Sequence, residues 1–562
     1  MIDEVALERH RRRKFRALPA LGALAVVALG VGIAAGVGAS SRAERVARDF
    51  GSAWAKGDYG AMHRLLSRDA RDRFDIRSFR GAYENSRRIA TSTTMRVAAP
   101  EGERGGTVPL PVTVRTRVFG MVRGEVRLPL HEDAVEWEPH LVFPGLQKGE
   151  SLARRTTAPK RAAILSVDNK TLAEGPAGLR TSPLGELASS VAGTVERTDD
   201  RAERLRLFER GFSGDTPVGA TGLERIFEEQ VAGRPGGVLK AGERILARSE
   251  PKAAGPVRST IDTRVQESAV TALAGRVGGI AALDPRTGAL RALAGIAFSA
   301  PQPPGSTFKI VTTTAALEAS VVKLSDRFPV QSNAVIDGVE LENANGELCG
   351  GTFEQSFAHS CNSVFGPLGV KVGSKRLVAT AERFGWNGPP TLAGEKPSTL
   401  PPAEQIVSPL EIGSTAIGQF KTLATPLQMA SVAQTIANGG VRMTPTAMAA
   451  KRPRAVRVTS AGVAGTLEQL MLAVVANGTG TSAAIPGVKV AGKTGTAELE
   501  DTRGAGGQTR SADPSNTDAW FTAYAPAGRP RIALAVLLVR NGSGGATAAP
   551  AARTVLARAL GK

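Results

Sequence analysis

Hydrophobic and polar positions alternate with different periods along the chain, and the changes of period mark its parts. Ala17 to Ala39 contains no charged residue. As a helix these 23 residues would extend about 35 Å, enough to cross a hydrocarbon layer of roughly 30 Å. In 43–148 the pattern is first helical, because Val46, Phe50 and Trp54 recur every fourth residue on one helical face. Gly57-Asp58 breaks that helix, and Met62, Leu65 and Leu66 begin a second. Alternation then predicts strands over Val108 to Val114 and Val126 to Leu130, with their prolines arguing for edge positions. The stretch Trp137 to Leu146 closes this small α+β unit, which has no catalytic spacing of its own.

Residues 150–257 are rich in charge, Gly and Pro and carry no long periodic element. Leu205, Phe208 and Phe212, then Leu223 and Phe227, predict helical pieces of a linking or pedestal domain. The texture changes in 258–562. Val265, Ala269, Ala272 and Leu273 share a helical face. Gly279 to Leu283 and Ala289 to Leu293, joined by Asp284-Pro285-Arg286-Thr287-Gly288, predict a hairpin. Ala519 to Tyr524 and Ile532 to Val539 predict another. Strands at both ends with helical patterns between them predict one large α/β domain closed by its C-terminal strands.

Composition sharpens this picture. At about 150 residues per domain, 562 residues imply three or four domains. A hydrophobic share of 42% excludes a mostly disordered chain, and two Cys exclude a disulfide scaffold or a Cys₄ zinc site. The net charge of +19 fits either a nucleic-acid binder or a protein working beside an anionic surface. The N-terminal pattern separates the two. Arg9, Arg11, Arg12, Arg13, Lys14 and Arg16 precede the apolar run and hold residues 1–16 in the cytoplasm, so everything after 17–39 faces outward. A cleaved signal ending at Val37-Gly38-Ala39 is the competing expectation, but the apolar run exceeds the usual signal core of about 7–15 residues. Export under either expectation excludes nucleic acid as a partner.

Three short elements carry chemistry. In Pro304-Gly305-Ser306-Thr307-Phe308-Lys309, a Ser and a Lys three apart on a helix share one face, and a lysine in a low-dielectric pocket can lose its proton and serve as a base. The spacing alone is weak, because Ser249 with Lys252 and Ser320 with Lys323 match it too. Ser360-Cys361-Asn362 is the only Ser-x-Asn and by itself reads as a loop pair. Lys493-Thr494-Gly495-Thr496 has a strand-like flank, a glycine that lets a substrate lie along the strand edge, and a cation for an anionic group. Gly388 to Lys396 has the wrong glycine spacing for a phosphate loop, and Pro397 follows its Lys. The five His are scattered, which argues against a histidine metal site.

In this order the three elements resemble those of the penicillin-binding protein and serine β-lactamase superfamily. Thr260 to Gln266, Ala416-Ile417-Gly418-Gln419, Thr425 to Ala430 and Ala437-Asn438-Gly439-Gly440 resemble class B penicillin-binding proteins. Residues 43–148 are similar to an NTF2-like domain, and 159–257 fall where that family has its dimerisation or pedestal domain. The resemblance implies a multidomain chain: a single N-terminal transmembrane helix, an NTF2-like α+β domain, a pedestal, and a β-lactamase-like transpeptidase domain with an antiparallel sheet flanked by helices. Two departures stand out. Arg161-Ala162-Ala163-Ile164 replaces the family's Arg-Gly-x-Ile, and Phe420 follows Gln419 where Gly-Gln-Gly is usual.

By the same resemblance, Ser306 is the nucleophile, Lys309 the general base and Ser360 the proton relay. Asn362 orients Lys309 and the substrate amide, while Lys493, Thr494, Gly495 and Thr496 bind the substrate carboxylate and complete the oxyanion hole. No metal or cofactor is implied. The implied activity is D,D-transpeptidation of peptidoglycan stem peptides at the outer face of the cytoplasmic membrane. β-Lactam antibiotics are implied as acylating ligands, and other cell-wall synthesis proteins as partners. A D,D-carboxypeptidase and a β-lactam sensor or scaffold are the alternatives the motifs leave open. Cys349 and Cys361 bracket the approach to the Ser-x-Asn element, as a disulfide or as two free thiols.

Overall fold

Ser41 and Glu44 form a reciprocal capping box that opens α1 (Arg42–Lys56), and Gly57 ends it in a left-handed conformation. Such a cap stabilises a helix by about 1 kcal/mol. Phe50 and Trp54 are buried on its inner face, followed by α2 (Tyr59–Arg64) and α3 (Ile76–Ile89). These helices pack on a sheet of β1 (Ser92–Val97), β2 (Thr107–Thr116), β3 (Met121–His131) and the short strand Ala134–Val135, in that order. Trp137 is buried, donates to the Tyr83 hydroxyl at 3.0 Å, and lies 4.9 Å from the Phe79 ring. The stretch after the sheet therefore seals the core.

The proline expectation needs correction. Pro109 and Pro111 lie in β2, which pairs with β1 on one side and β3 on the other. The strand tolerates them because β1 pairs only with Val112 to Thr116. Alongside the prolines the neighbouring chain needs acceptors alone: Ala98 donates to the Pro111 carbonyl and Glu101 to that of Pro109. A proline at these positions therefore forfeits no hydrogen bond on the β3 side.

The computed structural model describes residues 41–450, 453–499 and 514–562. The expected cytoplasmic segment 1–16 and anchor 17–39 lie outside the described residues. Among the described residues no helix is long and apolar enough to cross a membrane. The chain divides into two compact units, and the division runs through 150–257 rather than around it. With the first unit go β4 (Leu152–Thr157), α4 (Arg201–Arg210), β5 (Gly236–Ala241) and β6 (Arg244–Ser249). The physical cause is pairing and burial: β5 joins β4 to β6, and Leu152 and Leu239 sit in the same apolar core as Phe50 and Trp137. In α4 the buried side chain is Leu207, while Leu205 is exposed.

The rest of 150–257 belongs to the second unit, where Ile164, Leu172, Leu223 and Phe227 join its main core. Arg161 is 5% exposed and Glu224 fully buried; Arg161 Nε donates to Glu224 Oε2 at 2.6 Å and its Nη2 reaches Glu228 at 2.8 Å. Arg180 contacts the other Glu224 oxygen at 2.6 Å. The Arg161-Ala162-Ala163-Ile164 stretch thus contributes one of the two guanidiniums that grip the buried Glu224 carboxylate.

The second unit is organised on one antiparallel sheet. Its strands are β7 (Gly278–Leu283), β8 (Leu290–Gly295), β9 (Ala491–Glu498), β10 (Thr517–Ala525) and β11 (Ile532–Leu538), in the order β8-β7-β11-β10-β9. Both predicted hairpins are present, β7 with β8 and β10 with β11. Strands 10 and 11 are buried throughout, because apolar cores lie on both faces. One face packs α5 (Thr263–Leu273) and the C-terminal helix Ala549–Leu560, and the other packs α6 (Lys309–Glu318) and Pro426–Ala437. This order leaves β9 as an edge strand, with main-chain groups available for a ligand.

Candidate active site

Ser306 lies in a 3₁₀ turn, Gly305–Phe308, that leads directly into α6 at Lys309. In 3₁₀ geometry residues three apart stack one above the other, which aligns the Ser306 and Lys309 side chains more closely than an α-helix would. Thr307 Oγ1 donates to the Pro304 carbonyl at 2.7 Å and closes the turn. Gly305 N–H donates to the Gly418 carbonyl at 3.0 Å. A Cβ on Gly418 would fall 2.1 Å from the Gly305 carbonyl oxygen, so only glycine lets this loop brace the Ser306 turn. Two residues on, Phe420 adopts φ of +60°, so the residue that departs from the family pattern keeps a left-handed backbone.

Lys309 is fully buried. Its Nζ lies 2.7 Å from the Ser360 carbonyl, 2.7 Å from Asn362 Oδ1 and 3.2 Å from Ser360 Oγ. Burial first, and the charge of Lys493 second, push its pKa well below the ordinary lysine value. A neutral amine has two hydrogens and a lone pair. The two short contacts take the hydrogens and leave the lone pair as a base toward a hydroxyl.

Tertiary contacts shape the loop that offers these acceptors. Ser360 has φ of +62° and follows α7 (Phe353–Ala358), while Asn362 begins α8 (Asn362–Val372). Asn362 Nδ2 donates to the Glu342 carbonyl at 2.8 Å, fixing which amide atom faces Lys309. The Ser363 N–H donates to Asn343 Oδ1 at 2.9 Å, and Asn343 in turn donates to the Gln331 and Glu347 carbonyls. Cys349 and Cys361 are joined as a disulfide, which ties the residue between Ser360 and Asn362 to the strand Cys349–Thr352.

Lys493 stands on β9 opposite Thr522, is fully buried, and donates to its neighbour's Thr494 carbonyl at 3.0 Å. Burial lowers its pKa to about 7. The two lysines share an aromatic floor: Lys309 Nζ is 5.3 Å from the Phe365 ring and Lys493 Nζ 5.7 Å from that of Phe357. A Cβ on Gly495 would come 2.8 Å from the Pro304 carbonyl and 3.0 Å from Thr307 Cγ2. The glycine is therefore required for β9 to approach the Ser306 turn, a reason beyond the space for substrate expected from the sequence. A Cβ on Gly305 would lie 2.9 Å from the Thr496 carbonyl oxygen, so the Thr496 main chain also lies against that turn.

All eight residues singled out in the sequence thus converge in the second unit. The other two Ser-Lys matches do not sit on one helical turn: Ser249 ends β6, and Ser320 follows α6 with φ of +55°. In the loop resembling a phosphate-binding one, the Glu395 carboxylate takes the Thr391 and Leu392 N–H groups for itself. Sequence reasoning missed Asn343 and Thr479. Thr479 Oγ1 lies 2.5 Å from Thr494 Oγ1, and the only local signal for it is the small turn Gly478-Thr479-Gly480 before β9.

This geometry agrees with the comparisons to known proteins. Residues 278–557 match the penicillin-binding protein transpeptidase domain, and residues 42–150 match the NTF2-like N-terminal transpeptidase domain. The chain is 38% identical over 299 residues to the peptidoglycan D,D-transpeptidase PbpA of Mycobacterium tuberculosis, a match covering 47% of this chain and 56% of the relative. The chain thus spans just over half the length of that curated relative. It is 27% identical over 441 residues to the peptidoglycan D,D-transpeptidase MrdA of Acinetobacter baumannii, covering 67% of this chain and 65% of the relative. Among solved structures, penicillin-binding protein A from M. tuberculosis as its ceftriaxone acyl-enzyme aligns with a TM-score of 0.57 at 27% identity, over 71% of this chain and 98% of that one. The D,D-transpeptidase domain of a peptidoglycan glycosyltransferase from Eggerthella lenta aligns with the same score at 29% identity, over 72% and 98%. Two family matches that take in well over half of the chain, the relatives and the shared fold lead to one conclusion: the chain belongs to the penicillin-binding-protein transpeptidases that carry an NTF2-like N-terminal domain.

Proposed function

We propose that the chain is a membrane-anchored serine D,D-transpeptidase that cross-links peptidoglycan stem peptides and is acylated by β-lactams. The observation that carries this is the buried Lys309 amine, held by Ser360 and Asn362 at the foot of the turn presenting Ser306. Ser306 Oγ attacks the carbonyl of the penultimate D-Ala and gives its proton to Lys309. The oxyanion is met by the main-chain N–H groups of Ser306 and Thr496, a contact worth roughly 3–4 kcal/mol per donor. On collapse the C–N bond breaks, and Ser360 passes the proton from Lys309 to the departing D-Ala amine. Lys493, Thr494 and Thr496 hold the terminal carboxylate, and Asn362 orients the substrate amide. The amine of a neighbouring stem peptide then attacks the ester, gives up its proton and releases Ser306 as the cross-link forms.

The charge-flanked apolar run 17–39 supports anchoring to the cytoplasmic membrane with the catalytic unit outside. The test is fluorescent penicillin on the full chain, with Ser306→Ala in parallel. Covalent labelling of the wild type alone is expected, and labelling that survives the substitution overturns the nucleophile. A synthetic D-Ala-D-Ala peptide with and without an acceptor amine then separates cross-linking from simple hydrolysis. Hydrolysis alone, with no cross-linked product, makes the enzyme a D,D-carboxypeptidase.

A further inference from the structure

Thr479 joins two walls of the site that have no contact in sequence. Its N–H donates to the Ala358 carbonyl at 3.1 Å, at the C-terminal end of the helix that leads into Ser360. Its hydroxyl lies 3.3 Å from the same carbonyl and 2.5 Å from Thr494 Oγ1 on β9. The turn is pinned on both sides: a Cβ on Gly478 would come 2.4 Å from the Ala358 oxygen, and one on Gly545 would come 2.4 Å from the Thr479 oxygen.

A hydroxyl has one hydrogen and two acceptor lone pairs. Between two hydroxyls at this distance only one hydrogen can lie, so the pair has two arrangements. In the first, Thr494 donates to Thr479 and Thr479 donates to the Ala358 carbonyl. In the second, Thr479 donates to Thr494, and the Thr494 hydrogen is free to point at an anion. The second leaves no carbonyl stranded, because Ala358 keeps the Thr479 N–H.

We propose that Thr479 is a positioning residue for carboxylate recognition, which it controls by setting the direction in which the Thr494 hydroxyl donates. The proposal rests on the reading of Thr494 as a carboxylate-binding residue. When the terminal carboxylate arrives, the Thr479 hydrogen swings from the Ala358 carbonyl to Thr494 and hands the Thr494 hydrogen to the ligand. Without Thr479 the Thr494 hydroxyl has no inward donor, and its charge-assisted bond to the carboxylate weakens.

The test measures the second-order rate of acylation by benzylpenicillin for full-length Thr479→Val, Thr479→Ser, Thr494→Val and the Thr479→Val/Thr494→Val double variant. Thr479→Val is expected to lose about 10- to 100-fold, the worth of a hydrogen bond to a charged group. Thr479→Ser is expected to restore the rate, and Thr479→Val to add nothing once Thr494 is Val. Losses that multiply in the double variant, or a Thr479→Val rate equal to wild type, overturn the proposal. Thr479→Ser as slow as Thr479→Val overturns it as well. Failure of the wild type to acylate at all overturns the reading of the site itself, a different result from any of these.

Discussion

Lys309 Nζ and Asn362 Oδ1 lie 2.7 Å apart, and Asn362 can offer that oxygen because its amide nitrogen is committed to the Glu342 carbonyl. The pair therefore places a neutral amide acceptor beside an amine whose pKa is pushed well below the ordinary lysine value, by burial first and by Lys493 second.

Asn362→Asp replaces that neutral acceptor by an anion. An opposite charge within hydrogen-bond distance favours the ammonium, so the Lys309 pKa is expected to rise and the base function proposed for it to weaken. Acylation by benzylpenicillin is expected to fall by about 10²–10⁴-fold, the usual worth of a general base. Its rising limb should move to higher pH. A pH profile of the acylation rate checks this, and an unshifted limb removes Lys309 from the base role.

On the proposed mechanism Lys493 sets the opposite limb. Burial lowers its pKa from the ordinary 10.5 to about 7, so its ammonium disappears as pH rises through that value. Carboxylate capture, read as kcat/KM in the free enzyme, is expected to decline above about pH 7. The same shift acts on stability. Between about 7 and 10.5 the unfolded chain holds a proton that the native chain does not, so stability rises with pH across that window. Lys493→Met is expected to abolish activity while flattening this dependence of Tm on pH.

The disulfide between Cys349 and Cys361 closes a loop with a sequence separation of 12 that carries the approach to Ser360. Breaking it by Cys349→Ser/Cys361→Ser frees the unfolded chain, and a loop of this length is worth about 3 kcal/mol. Urea unfolding of the double variant should show that loss. Slower penicillin acylation should accompany it, because Cys361 separates Ser360 from Asn362. Unchanged acylation would show that Asn343 and Glu342 hold the loop unaided.

Glu224→Ala removes the carboxylate that Arg161 and Arg180 share, leaving Arg161 with Glu228 as its carboxylate partner and Arg180 with the Gly175 and Ala162 carbonyls. Arg161 is only 5% exposed, and removing one partner of a buried ion pair costs roughly 3–5 kcal/mol. A lower urea midpoint is expected for the second unit, with fluorescent penicillin still labelling the folded fraction at low temperature.

Gly418→Ala places a methyl 2.1 Å from the Gly305 carbonyl at a φ of +76°. The brace on the Ser306 turn must then shift. A misplacement of about 1 Å can cost 10²-fold in rate. Acylation is expected to fall by about that factor while far-ultraviolet circular dichroism stays unchanged, and a wild-type rate would show that the turn holds its shape alone.

The sequence by itself made the candidate site legible, with Ser306 as its proposed nucleophile. Ser306, Lys309, Ser360, Asn362 and Lys493 to Thr496 are each part of a short local pattern, and local chemistry needs only adjacent residues to be legible. It also determined α1 and α5, each with one strongly apolar face, and the two hairpins of the large sheet, whose strands are short apolar runs bounded by turn residues. Tertiary structure alone decided the rest. Pairing with β5 drew β4 and β6 into the first unit, because strand partners are chosen by hydrogen bonds that no local pattern records. Pro109 and Pro111 sit inside a sheet because the chain beyond β1 needs only their carbonyls. The low pKa of Lys309 comes from complete burial and from a second lysine 184 positions away in sequence, brought close only by folding. Asn343 and Thr479 stayed invisible for the same reason, and the bracing role of Gly418 did too although its stretch was noticed: each acts through a contact across the fold that depends on where the partner's main chain lies.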